Sequence, residues 1–154
     1  MRALLQRVSR GSVTVENQVV GKIERGLVVL VGVTQTDNDE SAYLLAQKVA
    51  NLRIFEDEAG KMNLSALDLN AELLVVSQFT LYANAVRGRR PDFLAAARPE
   101  QAGPLVETFA QYVEAAGLRV ARGQFGAKMQ VEIWNDGPVT IMLDTEELKK
   151  SNAQ

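Results

Sequence analysis

"MQVEIWNDGPVTIMLD", residues 129–144, decides how the end of the chain is built. Both flanks, "MQVEIW" and "VTIMLD", have the alternation and β-branched content of strands. Between them Asn135-Asp136-Gly137 reads as the tight turn of a β-hairpin, because Asp-Gly tolerates the positive φ angles such turns need. Pro138 fits that reading badly. The next residue of a hairpin should donate to the ladder, and proline has no N–H to give. Proline is also the residue at which a cis peptide costs least. The stretch is therefore either punctuation or a device.

Outward from it, the same patterning recurs at the other end of the chain. "ALLQRV" (3–8), "SVTVEN" (12–17), "QVVGKIE" (18–24) and "LVVLVGV" (27–33) read as four strands, with Gly11 and Arg25-Gly26 supplying turns. The period then changes. Ala42, Leu45, Ala46, Val49 and Leu52 recur at helical spacing after an Asp-rich start. "ELLVVSQFTLYA" (72–83) is a long apolar run of central-strand type. "PEQAGPLVETFAQYVEAAG" is an amphipathic helix with Leu105, Val106, Phe109 and Val113 on one face and Gly117 as its C-terminal cap. "LRVAR" adds a strand, and "TEELKKSNAQ" reads as a polar tail. Strands grouped first and last with helices between them predict an α+β fold: a curved, mostly antiparallel, barrel-like sheet with helices on one side. The 154 residues are expected to form a single domain, 1–154, with about 146–154 as the tail.

Composition narrows the chemistry. The net charge of −2 carries no global nucleic-acid signature. Zero cysteines excludes thiolate chemistry and fits a reducing cytosol, so a cytoplasmic location is expected. The opening "MRALLQRVSRGSVTV" has its apolar runs broken by Gln6, Arg7 and Arg10, which is no signal peptide. "LVVLVGV" is too short to span a bilayer. Zero histidines removes the commonest general base, the commonest metal ligand and any Ser-His-Asp triad. An enzyme built this way must use a carboxylate, a lysine, the backbone or its own substrate.

Four stretches could carry chemistry. "SQFTL" (77–81) places Ser77, Gln78 and Thr80 in an otherwise apolar strand, where an unpaired buried polar group would cost roughly 1–3 kcal/mol. They are either satisfied polars or the wall of a pocket at the strand end. "RGRRPDF", with Arg87, Arg89 and Arg90, is either a solvated loop or a phosphate contact. "GQFGAKM" (123–129) is glycine-rich without P-loop spacing, and "FEDEAGKMN" is acidic without EF-hand spacing.

In this order the segments "QRV", "LRIFEDEAGKMN", "LLVVSQFTLYA", "GRRPDF", "GQFGAKM" and "NDGPVTI" resemble the D-aminoacyl-tRNA deacylases of the bacterial and eukaryotic type. The likeness runs along nearly the whole chain, and "SQFT" and "GPVT" match that family's two signatures without departure. The resemblance implies hydrolysis of the ester of tRNA charged with D-amino acids or glycine, in a homodimer, with no metal or other cofactor. No membrane or DNA partner is expected. It implies a cis Gly137-Pro138 bond, carried by one subunit into the pocket of the other, whose carbonyl oxygens receive the substrate's α-ammonium. Arg7 would fix those carbonyls. Ser77, Gln78, Phe79 and Thr80 would form the catalytic strand end, with backbone N–H groups near Phe79 and Thr80 as the oxyanion hole and Thr80 in a positioning role. Phe125, Ala127 and Met129 would form the far wall. The ribose 2′-hydroxyl would help activate water, which suits a chain without histidine.

Three rivals remain at this point. They are a threonyl-tRNA synthetase editing domain of the same fold, a plain RNA-binding module using "RGRRP", and a threonine-nucleophile amidohydrolase. The last would need a base beside the internal Thr80.

Overall fold

The first fifteen residues form one long strand rather than two. In the computed structural model, which describes residues 1–152, β1 runs Arg2–Val15 and is followed by β2 (Gln18–Ile23) and β3 (Gly26–Gly32). Gly11 is therefore no turn. It lies inside β1, where a Cβ would come 2.9 Å from the Val28 side chain, so glycine permits close packing there.

β1 organises the sheet. Its N-terminal half pairs antiparallel with β3, its C-terminal half with β2, and its whole length with β8 (Gln130–Asp144). β6 (Glu72–Ser77) lies parallel to β3, and β7 (Arg119–Arg122) parallel to β6. The sheet is thus mixed, and it curves until it nearly closes. At Gly21 of β2 a Cβ would stand 2.4 Å from the Arg122 carbonyl oxygen of β7.

Parallel neighbours need crossovers, and each crossover supplies a helix. α1 (Asp39–Asn51) starts at Asn38, whose side chain accepts from the Ser41 N–H in a reciprocal capping box. A short hairpin, β4 (Phe55–Glu56) and β5 (Met62–Leu64), and one helical turn, α2 (Ala66–Leu69), complete the return to β6. α3 (Pro99–Ala115) links β6 to β7 and ends before Gly117, whose φ of +108° suits glycine. Phe109 and Val113 of α3 and Leu45 and Val49 of α1 bury against Leu27, Val29 and Leu73 of the sheet. The opposite sheet face is also buried: Val28, Leu74 and Val76 pack with Val8, Val13 and Ile23 inside the curve. Two buried faces explain why "LVVLVGV" and "ELLVVS" are apolar without alternation.

The β3–β6 pairing leaves no room for a side chain at Gly26, where a Cβ would fall 1.7 Å from the Glu72 carbonyl oxygen. The obstacle is backbone and cannot swing aside. Gly26→Ala is expected to lower unfolding free energy by about 3 kcal/mol. A denaturant midpoint equal to wild type would refute it.

Three further expectations change. The hairpin at Asn135-Asp136-Gly137 does not form. Both flanks belong to β8 and run in one direction along β1, with Val8 opposite Asn135 and Gln6 opposite Thr140. The intervening residues bulge out of the ladder, so Pro138 never has to donate. The run at 72–83 is not one strand. β6 stops at Ser77, and Phe79–Tyr82 form a 3₁₀ turn. The turn packs over Gly32 of β3, where a Cβ would lie 3.0 Å from the Gln78 carbonyl oxygen and 3.1 Å from Leu81 Cβ. The "polar tail" contains α4 (Thr145–Asn152). Asp144 caps it through the Glu146 N–H at 3.0 Å, and acidic then basic residues follow the helix dipole. Residues 153 and 154 of that tail lie outside the described residues.

Candidate active site

The end of β6 opens into a cavity of about 430 Å³. Ser77, Gln78 and Phe79 line it from the strand end, Phe93 and Arg98 from the loop before α3, and Phe125 from the loop after β7. Phe79 meets Phe93 edge-to-face, with ring centroids 4.9 Å apart. The lining is largely apolar, so the few polar groups in it set orientation.

The 3₁₀ turn defines those polar groups. The Gln78 N–H makes the last ladder bond, to the Val31 carbonyl at 2.8 Å. The chain then turns, and the Leu81 N–H returns to the Gln78 carbonyl at 3.2 Å. The first N–H groups of such a turn have no partner within it. Those of Phe79 and Thr80 donate to no main-chain carbonyl among the described residues. Thr80 is exposed, and its hydroxyl accepts from the Gln78 side-chain amide. That amide is a donor and cannot take a proton. The strand expected to continue through residues 77–80 is replaced by this turn, which carries Phe79 and Thr80 out of the sheet.

Arg2 holds the far side of the turn. Its Nη1 donates to the Leu81 carbonyl at 2.9 Å, its Nε to Asp144 at 2.9 Å, and its guanidinium lies 4.5 Å from the Tyr82 ring centroid. Burial works against the charge on Asp144, but the Arg2 hydrogen bond and the Glu146 N–H hold its carboxyl below the usual range. Burial also pushes the Tyr82 phenol up.

A second cluster forms around the β8 bulge. Gly137-Pro138 is a cis peptide, and both residues are exposed. Arg7 is buried beneath them. Its Nε donates to the Asp136 carbonyl at 3.1 Å and its Nη1 to the Ile54 carbonyl at 2.9 Å. Glu56 and the Asp136 carboxylate lie 3.7 and 3.4 Å from the guanidinium. Arg7 thus grips the carbonyl just before Gly137, and the β4–β5 hairpin braces Arg7.

The structure therefore brings Ser77, Gln78, Phe79 and Phe125 together, with Thr80 beside Gln78. It does not bring Gly137, Pro138 or Arg7 to this cavity within one chain. Ala127 and Met129 also fall outside it. Ala127 lines a separate surface cleft with Gln18 and Val20, and Met129 packs inside the curved sheet beside Val131 and Ile133. Phe93, Arg98 and the Ile54 carbonyl were not marked by the sequence. The first two sit in an irregular loop, and the third acts through main chain. Among the described residues no cluster of three or more acidic side chains is placed to hold a metal ion, and no helix is long and apolar enough to cross a membrane.

An α+β fold with a histidine-free, mainly apolar cavity at the end of a buried sheet strand is the class that fold and site define. Residues 4–144 match the D-Tyr-tRNA(Tyr) deacylase family model, and the chain belongs to that family. It is 57% identical over 149 residues to a D-aminoacyl-tRNA deacylase of Chloroflexus aurantiacus, covering 97% of this chain and 93% of that protein. Among solved structures it is similar to c-Myc DNA unwinding element binding protein. The TM-score is 0.88 at 42% identity, over 94% of this chain and 98% of the other. A probable eukaryotic D-amino acid tRNA deacylase, at 21% identity, shares the fold with a TM-score of 0.81, over 93% and 98%.

Proposed function

We propose that this protein hydrolyses the ester bond of D-aminoacyl-tRNAs, and of glycyl-tRNA more slowly, releasing amino acid and tRNA. The observation that carries the reading is the pair of N–H groups at Phe79 and Thr80 without a main-chain partner, Phe79 lining the cavity of about 430 Å³ and Thr80 following it in the turn. Aimed at an ester carbonyl, they stabilise the oxyanion that forms when water attacks. The carbon–oxygen bond to the ribose breaks, and the ribose oxygen leaves as a hydroxyl. The adjoining 2′-hydroxyl relays the proton that histidine would otherwise move. Phe79, Phe93 and Phe125 offer faces for the base, and Gln78 orients Thr80.

In this reading the exposed Gly137-Pro138 bulge completes the site of a second copy, with Arg7 setting its direction from below. The active unit is a homodimer, whose specific two-fold interface should bury on the order of 1,000 Å² or more. Two variants impaired in different elements, Gly137→Val in the bulge and Phe79→Pro, which removes one N–H at the strand end, are expected to regain activity on mixing, because one hybrid site then combines a sound bulge with a sound strand end. No recovery after subunit exchange would show that the bulge does not complete the partner's site.

Release of D-tyrosine from D-Tyr-tRNA by the purified protein tests the activity itself, and binding without turnover would leave only an RNA-binding module. Thr80→Ala separates mechanisms. With an amide donor as its partner, Thr80 has no base to activate it, so its loss should lower kcat by no more than about tenfold. A nucleophile would cost on the order of 10⁴-fold or more.

A further inference from the structure

The loop between the 3₁₀ turn and α3 has a fixed stem and a free tip. Asn84 and Asp92 exchange N–H to carbonyl bonds of 2.9 Å each, closing the loop at its base. Gln35 Nε2 donates to the Leu94 carbonyl at 2.8 Å, and the Ala97 N–H donates to the Val33 carbonyl at 2.9 Å, so the stem is tied to the end of β3. The same stem supplies Phe93 to the cavity and stacks it against Phe79. Beyond Asn84 the chain projects into solvent. It turns at Gly88, where φ is +70°.

That tip carries Arg87, Arg89 and Arg90, all exposed, on a protein of net charge −2. Most of the other arginines are engaged. Arg2, Arg7, Arg119 and Arg122 hold carboxylates, and Arg53 holds Asn63. None of the three tip arginines forms an ion pair or hydrogen bond among the described residues. Val86 is 88% exposed on the same loop and Leu94 81%, while Phe79 at the cavity mouth is 55% exposed. Unpaired cations on a loop whose stem leads to an exposed aromatic ring are what single-stranded nucleic acid requires: charge for the phosphates and a flat surface for a base.

We infer that the Arg87-Gly88-Arg89-Arg90 tip binds the backbone phosphates of the single-stranded 3′ end whose terminal nucleoside occupies the cavity. The inference rests on the deacylase reading above. The stem fixes the distance between the two sites, so the loop acts as a ruler that seats the ester while reading no base. Phosphate contacts position a strand without specifying its sequence.

The test compares wild type with the triple variant Arg87→Gln, Arg89→Gln, Arg90→Gln on two substrates, D-Tyr-tRNA and 3′-O-(D-tyrosyl)adenosine, which has no phosphate. On the tRNA the variant should show KM raised on the order of 100-fold at 0.1 M salt. The slope of log KM against log salt should fall by about 2, the sum of three contacts at ~0.7 each. Its kcat on the tRNA and its rate on the adenosine ester should match wild type. An unchanged KM and salt slope on tRNA overturns the assignment. So does an equal loss on the adenosine ester, which would make the loop a cavity wall only. Wild type that cleaves neither ester overturns the deacylase reading, and this inference with it.

Discussion

Gly137→Val is expected to lower deacylation about 100-fold while leaving the protein folded, the loss that a misplacement of order 1 Å at a reacting site can cause. At Gly137 φ is +132°, a region that β-branched residues avoid. Space is lacking too. A Cβ would lie 2.9 Å from Val139 Cγ2, 3.0 Å from the Val139 nitrogen and 3.3 Å from Arg7 Nη2. The bulge must shift, and the nearest thing it shifts against is the arginine that holds it. The ladder on either side, Gln6 with Thr140 and Val8 with Asn135, does not depend on the bulge, so the fold should survive. Arg7→Lys makes the complementary cut. A lysine keeps the charge but cannot hold the Asp136 and Ile54 carbonyls in one planar fork. One buried carbonyl left unpaired costs about 1–3 kcal/mol, some of it in activity. Rates are read under single turnover beside thermal unfolding curves. A Gly137→Val protein with wild-type rate would remove the bulge from the site.

What the sequence could and could not disclose follows from where each cause lies. α1 and α3 were legible because helical periodicity and caps are local: Ala42, Leu45 and Val49 mark the buried face by themselves. α4 was missed: its acidic-then-basic order is a helix signal, but its polarity made the segment read as a tail. The bulge was misread for a different reason. The flanks of Asn135–Pro138 are strands on any reading, and only pairing with β1 determines whether the chain reverses or continues. The end of β6 was hidden likewise, because Gly32 on another strand makes room for the turn. Arg7 was marked only through the resemblance at "QRV", and its brace, the carbonyl of Ile54, has no side-chain signature. The cavity residues Phe93 and Arg98 belong to a loop without periodicity. Their position depends on tethers from Gln35 and Val33, remote in sequence.

Discrimination between mirror-image substrates should be the largest effect of all, many orders of magnitude between D- and L-tyrosyl esters, with little preference among D side chains. The argument begins with what the bulge offers. Gly137 has no side chain, Pro138 has no N–H, and both are exposed at the tip of an arginine-braced turn. Main-chain carbonyls can receive an α-ammonium, which every aminoacyl ester has, and they make no contact that depends on the variable group. With ammonium and ester fixed at two points, the handedness of the α-carbon decides where the side chain goes. In the proposed arrangement a D side chain would leave toward solvent, and an L side chain would be driven into the backbone of the bulge, which, unlike a flexible side chain, cannot yield. Specificity then comes from exclusion rather than from added affinity. D-Tyr, D-Phe and D-Asp esters should be cleaved at similar rates, and glycine, with nothing to exclude, should be cleaved at an intermediate one. Variants of the cavity side chains should slow all substrates together without admitting L esters, because they leave the bulge in place. The measurement is single-turnover deacylation of D, L and glycyl esters by wild type and by Gln78→Ala. A wild-type preference for one D side chain by several orders of magnitude would sink the idea and require a side-chain pocket. L-ester cleavage by Gln78→Ala would show that the strand end, not the bulge, sets the handedness.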